Sequence, residues 1–146
     1  MKKNILLIFL PLLLFGCKND CEGIACFTPP PNFIFELVDK TTGDNLFTKG
    51  ELDSDTITVL NKNFESVNFE FISENNLNVI ELSEIGWNLN LEQYTIKVGE
   101  IEFVVTLEME EKHENCCTFF NILQFEVSKY TYQQSNSSEI IKILIE

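Results

Sequence analysis

The segment His113-Glu114-Asn115-Cys116-Cys117 holds the densest chemistry in the chain, with its single histidine, a carboxylate and two thiols side by side. With Cys21 or Cys26 as a fourth donor, this set could form a zinc site, because imidazole nitrogen and thiolate sulfur are the ligands zinc prefers. Structural zinc sites usually separate paired cysteines by two to four residues, however, and adjacent cysteines on an extended chain point to opposite sides. A small metal-dependent protein centred on His113 therefore ranks below a disulfide reading of the same residues. His113 is also the only imidazole base available, oxidised cysteines are no nucleophiles, and no Gly-x-Ser-x-Gly elbow occurs. Glu108, Glu110 and Glu111 offer carboxylates, but Glu108 and Glu110 fall on the outward side of a strand, where charge keeps a sheet surface soluble. Asp53-Ser54-Asp55, with Asp39 and Asp44, supplies oxygens of the kind calcium takes, without the glycine and closing glutamate of a recognised loop. The expectation is no enzyme, no cofactor and no resident metal.

Binding chemistry is carried by one residue. Trp87, the sole tryptophan, follows Gly86 and offers a flat apolar face on which a sugar ring or other ligand could stack, although a place in the core or at its rim is the commoner fate of a tryptophan. Asp55-Thr56-Ile57 resembles the Asp-Ser/Thr-aliphatic site at which exported Bacteroidetes proteins receive O-glycans, which would make Thr56 a glycosylation candidate.

The chain opens with Lys2 and Lys3, runs apolar from Ile5 to Phe15 with a break at Pro11, and reaches Gly16-Cys17 before its first acid. A cationic start, a short apolar run and a small residue are the order of an export signal, and the run is too short for the roughly 20 apolar residues that span a bilayer. Leu14-Phe15-Gly16-Cys17 resembles the lipobox of bacterial lipoproteins, with Phe15 in a place usually small. The resemblance implies cleavage after residue 16 and lipid on Cys17. Lys18-Asn19-Asp20 and Glu22 resemble the lysine-plus-acid tag that sends Bacteroidetes lipoproteins to the outer face of the outer membrane. The expected address is thus the outer membrane, at its periplasmic face or at the cell surface, with the membrane held through the lipid.

Five cysteines are an odd number for an exported chain. Assigning Cys17 to lipid leaves Cys21, Cys26, Cys116 and Cys117, an even set that an oxidising compartment would pair. Adjacent Cys116 and Cys117 sit too close for an ordinary bridge to each other. Both remaining connectivities tie the leading segment to residues 116–117.

The formal charge of −13 becomes −15 once Lys2 and Lys3 are lost with the leader, and all ten basic residues are lysines. An acidic chain without arginine repels polyanions and lacks the bidentate fork that grips phosphate, so nucleic acid is excluded as a partner. Anionic headgroups are repelled equally, leaving acyl chains as the membrane grip.

The elements that must position these residues read as strands. Thr28-Pro29-Pro30-Pro31 is a stiff polyproline II spacer. Phe33–Val38, Thr56–Leu60, Val67–Phe71, a strand through Phe119, Leu123, Phe125 and Val127, and Ile140–Ile145 follow, with turn residues at Asn75-Asn76 and a flexible loop at Gln133–Ser138. The clearest unit is a hairpin at 94–109. Gly99-Glu100 suits a type II′ turn, which sets Val98 opposite Ile101, puts Tyr94, Ile96, Val98, Ile101, Phe103 and Val105 on one face, and sets Lys97 opposite Glu102. The reading is an all-β antiparallel sandwich, Ig-like or transthyretin-like, of seven to nine strands with little or no helix. Residues 1–16 form the leader, 17–32 the anchored cysteine- and proline-containing segment, and 33–146 one domain. Glu36–Leu46 resembles the opening of transthyretin-like and carboxypeptidase-regulatory-like sandwiches, in which a strand, an acid, a Thr-Gly turn and a leucine precede the second strand.

Together these features lead to the expectation of a lipid-anchored, non-enzymatic binding or structural accessory module that meets a protein or glycan partner. An acidic immunity- or inhibitor-type lipoprotein that binds a basic protein is the alternative, because high negative charge steers such encounters.

Overall fold

The computed structural model describes residues 26–74, 77–134 and 139–146. The leader, Cys17, Cys21, the residue 18–22 tag, the turn residues Asn75 and Asn76, and residues 135–138 lie outside the described residues.

Alternating apolar residues build ten strands in two facing sheets. They are β1 (Cys26–Thr28), β2 (Phe33–Asp39), β3 (Ile57–Asn61), β4 (Glu70–Glu74), β5 (Leu77–Leu82), β6 (Glu92–Val98), β7 (Ile101–Glu114), β8 (Cys117–Val127), β9 (Thr131–Gln134) and β10 (Ile140–Ile145). One sheet has the order β1-β8-β7-β6-β3 and the other β4-β5-β2-β10-β9. The inward residues, among them Phe35, Leu37, Ile80, Ile96, Phe103, Val105 and Ile143, form one continuous core between the sheets. Phe35 meets Phe103 and Phe33 stacks on Phe125 across the gap, with centroids 6.2 and 6.0 Å apart. The all-β sandwich is therefore the observed architecture, and a short 3-10 turn at Ser54–Thr56 is the one helical element among the described residues.

The β6–β7 hairpin has the expected register: Val98 faces Ile101, Ile96 faces Phe103, and Lys97 faces Glu102. Gly99 takes φ +57 while Glu100 keeps a negative φ, as a turn with glycine in its first position demands. The charge on Glu102 is met by Lys129 at 3.4 Å instead of by Lys97.

Several expectations need correction. Among the described residues there are ten strands, and the sheets are mixed: β1 runs parallel to β8, and β10 parallel to β2. Parallel neighbours need long crossovers, whose ends carry no local signal. Residues 26–28, assigned above to the leading segment, supply a strand of the sheet. The strand expected at Val67–Phe71 starts only at Glu70, because the Val67 amide donates to Val59 O at 2.9 Å and holds the chain against β3 first. Gln133 and Gln134, read as loop, pair with Lys142 and Ile141 as the end of β9. A bulge between Glu108 and Met109 leaves Leu123 as the extra residue of β8 and shifts the side-chain parity. Phe120 and Ile122 consequently share the inward side with Phe125 and Val127, while Phe119 faces out.

The turn after β2 is built by Asp39. Its Oδ1 accepts the amides of Thr41 (2.9 Å) and Thr42 (2.8 Å), and Gly43 at φ +76 lets Leu46 return to donate to Leu37 O. Those amide bonds, Thr42 first, hold the Asp39 carboxyl below its ordinary value of 3.8. A depressed folded value means that the ionised carboxylate stabilises the fold above the ordinary value, and that this contribution disappears as pH falls through the folded one. Unfolding followed by circular dichroism is expected to lose stability below about pH 3.8, with Asp39→Asn flattening that part of the profile.

Cys26 and Cys117 are bonded and sit opposite each other in the β1–β8 pairing, 4.5 Å apart at Cα and 91 positions apart in sequence. One of the two connectivities left open by the sequence is thereby selected. Cys116 is disulfide-bonded as well. Replacing Cys26 and Cys117 with alanine is expected to lower the urea unfolding free energy by at most about 4.6 kcal/mol, the chain-entropy value for a loop of this order. The loss should fall short of that by whatever the bond at Cys116 still holds closed.

Candidate binding surface

β7 and β8 form an arm that runs on beyond Met109 to a two-residue turn, with Glu114 opposite Cys117. Asn115 (φ +47) and Cys116 (φ +74) both take the left-handed conformation that a type I′ hairpin requires. β1 is fastened to the side of this arm by the Cys26–Cys117 bond. Its register sets Phe27 beside Thr118, hence on the inward side with Phe120.

Trp87, from the connection between β5 and β6, lies against that inward side. Its ring is 5.6 Å from Phe120 at a steep angle and 6.2 Å from Phe27 nearly parallel, while Phe27 and Phe120 meet edge-on at 6.0 Å. Such aromatic pairs add about 0.5–1.5 kcal/mol each beyond burial, enough to hold three rings in one arrangement. The cluster nevertheless stays open, since Trp87 is 51% and Phe27 57% exposed. Leu89 and Leu91 are also exposed, so every second residue of 87–91 turns an apolar group to water. Clusters of this kind mark interaction surfaces more often than isolated apolar residues do.

Gly86 places the tryptophan. At φ +93 it occupies backbone space that side chains disfavour, and a Cβ there would lie 3.0 Å from Pro30 Cβ and 3.2 Å from Phe33 Cε2. The polyproline spacer therefore packs directly against the turn that presents Trp87.

The opposite flank of the same connection lines a polar cleft of about 360 Å³ together with the β3–β4 loop. Glu92 is the charged group at its back, 7% exposed, at an inward position of β6. Its Oε1 accepts from Lys62 Nζ at 3.0 Å and from Asn88 Nδ2 at 2.5 Å. Asn68 Nδ2 donates to Glu84 Oε2 at 3.0 Å on the rim. Burial, and then the Glu92 charge, push the Tyr94 hydroxyl above the ordinary phenol range, keeping it a neutral donor in the cleft.

The remaining candidates have structural duties. Asp53 Oδ1 caps the 3-10 turn by accepting from Asp55 N at 2.9 Å, and Asp39 is spent on its own turn. His113 Nδ1 lies 2.8 Å from Thr118 Oγ1 and Nε2 3.3 Å from Glu111. Cys116 and Cys117 are both in disulfides, so neither offers a thiolate beside His113. Glu110 is held low by Lys112 at 2.7 Å, with help from Asn121, so it is no proton donor near neutrality. Thr56 is exposed, its Oγ1 donating to Asp53 O at 2.7 Å.

Trp87 was legible as an outlier of type; Phe27 and Phe120 were not, because only the β1–β8 pairing brings them to it. Glu92 does carry a signal in the sequence: it shares the parity of Tyr94, Ile96 and Val98, which places a carboxylate on the apolar face of its strand.

Gly86→Ala is expected to cost about 1–3 kcal/mol through backbone strain and the close approach to Pro30. Because Trp87 is the only tryptophan, its emission should shift to the red as its ring leaves Phe27 and Phe120; an unchanged spectrum would show that Gly86 does not position it. Comparison with known proteins gives no match to a family model, a curated protein or a solved structure.

Proposed function

We propose that this chain is a lipid-anchored, non-enzymatic binding module of the outer membrane, held by acyl chains on Cys17 and meeting a protein or glycan partner through Trp87 and its neighbouring rings. The observation that carries the reading is the open cluster of Trp87, Phe27 and Phe120, a large apolar surface kept exposed on a braced support. Exposed aromatic rings that are already immobilised lose little entropy on binding, which suits them to recognition. The lipobox-like Leu14-Phe15-Gly16-Cys17 supports the anchor, and β1 begins nine positions after that cysteine. The surface would then stand close to the membrane that carries it. Thr56, exposed on the 3-10 turn, is the proposed acceptor for an O-glycan.

Expressed in its own envelope, the full chain is expected to partition into the detergent phase, and Cys17→Ser into the aqueous phase. On arrays of glycans and envelope proteins, Trp87→Ala should lose at least tenfold in binding while staying folded by circular dichroism, its melting temperature lowered only by the loss of its two ring contacts. Aqueous partitioning of the wild type, or binding indifferent to Trp87, would overturn the respective half of the reading. Binding that weakens steeply with salt and selects basic proteins would favour the acidic inhibitor instead.

A further inference from the structure

The β3–β4 loop presents a second aromatic residue, away from the Trp87 cluster. Asn61 braces the loop from within: its Oδ1 accepts the amides of Asn63 (2.9 Å) and Glu65 (3.0 Å), and its Nδ2 donates to Glu65 Oε2 (2.8 Å). Phe64 stands on this brace, its own amide donating to Asn61 O at 2.9 Å. The ring is 83% exposed and the backbone sits at φ +62, a left-handed conformation that glycine would take without strain and a bulky side chain takes reluctantly. An exposed apolar ring alone needs no explanation. A ring that is both exposed and held in a strained conformation by a braced loop is an outlier pointing to function.

The same loop lines the polar cleft through Asn61, Lys62 and Asn63, the residues that immediately precede Phe64. Four asparagines, Asn61, Asn63, Asn68 and Asn88, stand among its polar lining residues, and the Asn63 side chain keeps an amide donor and acceptor side by side, as neighbouring hydroxyls do. Glu92 spends one oxygen on Lys62 and Asn88. Its other oxygen has no protein partner, and since no buried polar side-chain atom is left unsatisfied among the described residues, that oxygen has access to solvent. The single cation in the wall, Lys62, is already neutralised by Glu92 at 3.0 Å, and the chain is acidic with no arginine, so the cleft offers an anion nothing.

We infer that Phe64 and this cleft form a binding site for a neutral oligosaccharide, the C–H face of one sugar ring resting on Phe64 while hydroxyls pair with the amide of Asn63 and the open oxygen of Glu92. The site is separate from the Trp87 surface, so the two stand or fall independently.

The test uses the full chain on an array of neutral cello-, manno-, malto- and chito-oligosaccharides, followed by calorimetry on the best binder at low and high salt. At least one should bind with salt-independent affinity. Phe64→Gly should weaken it at least tenfold while raising the melting temperature, because glycine relieves the strained backbone, an outcome that a merely structural Phe64 would not give. Phe64→Trp should retain binding, and Asn63→Ala should reduce it. Absence of binding to the whole panel, steep salt dependence, or full affinity in Phe64→Gly would overturn the inference. Binding lost in Trp87→Ala but kept in Phe64→Gly would overturn it too, while leaving the proposed function intact.

Discussion

One covalent bond organises the end of the molecule where recognition chemistry gathers. β1 is only three residues long, too short to hold its place by backbone pairing alone, and it is an edge strand. The Cys26–Cys117 bond fixes it to β8 in a defined register. From that register follow the position of Phe27, the direction in which the prolines leave for β2, and the packing of Pro30 against Gly86. Trp87 is thus supported from two directions by a segment that would otherwise fray.

The core obeys simple rules, and the candidate sites break them. Inward positions of β2, β6, β7 and β10 are apolar almost without exception, as burial at roughly 25 cal/mol per Å² of apolar surface demands. Glu92 is an exception on β6, tolerated because Lys62 and Asn88 satisfy one oxygen and the cleft leaves the other accessible. Phe64 breaks the backbone rule and Trp87 the burial rule. Phe64 and Trp87 lie on the β3–β4 and β5–β6 connections, both of which contribute residues to the cleft that Glu92, the first residue of β6, also lines. Loops positioned by a rigid scaffold are where binding residues concentrate, and the sandwich is that scaffold here.

Charge narrows the partners further. With acidic residues outnumbering basic ones by thirteen, the field around the molecule disfavours anionic ligands at long range, and the lysines near the candidate sites are engaged with carboxylates at short range. Apolar rings and amides are what remain to recognise a partner. Both act by contact and are little affected by salt, which separates them from the steering that a basic partner would experience.

The sequence by itself determined what depends on neighbouring residues. Period-two alternation set the strands of the core, Gly99 set the β6–β7 register, and the count and placement of cysteines narrowed the bridges to residues 116–117. Trp87 stood out by type alone. What only the tertiary structure decided depends on which distant strands meet: the parallel pairings of β1 with β8 and β10 with β2, the choice of Cys26 for Cys117, and the gathering of Phe27 and Phe120 around Trp87. The bulge at Glu108/Met109 belongs here too, because one unpaired residue reverses the facing of all that follow and no local pattern announces it. Alternation and turn chemistry act over a few residues, whereas partner choice between strands rests on burying two whole faces together, a quantity no short window of sequence contains.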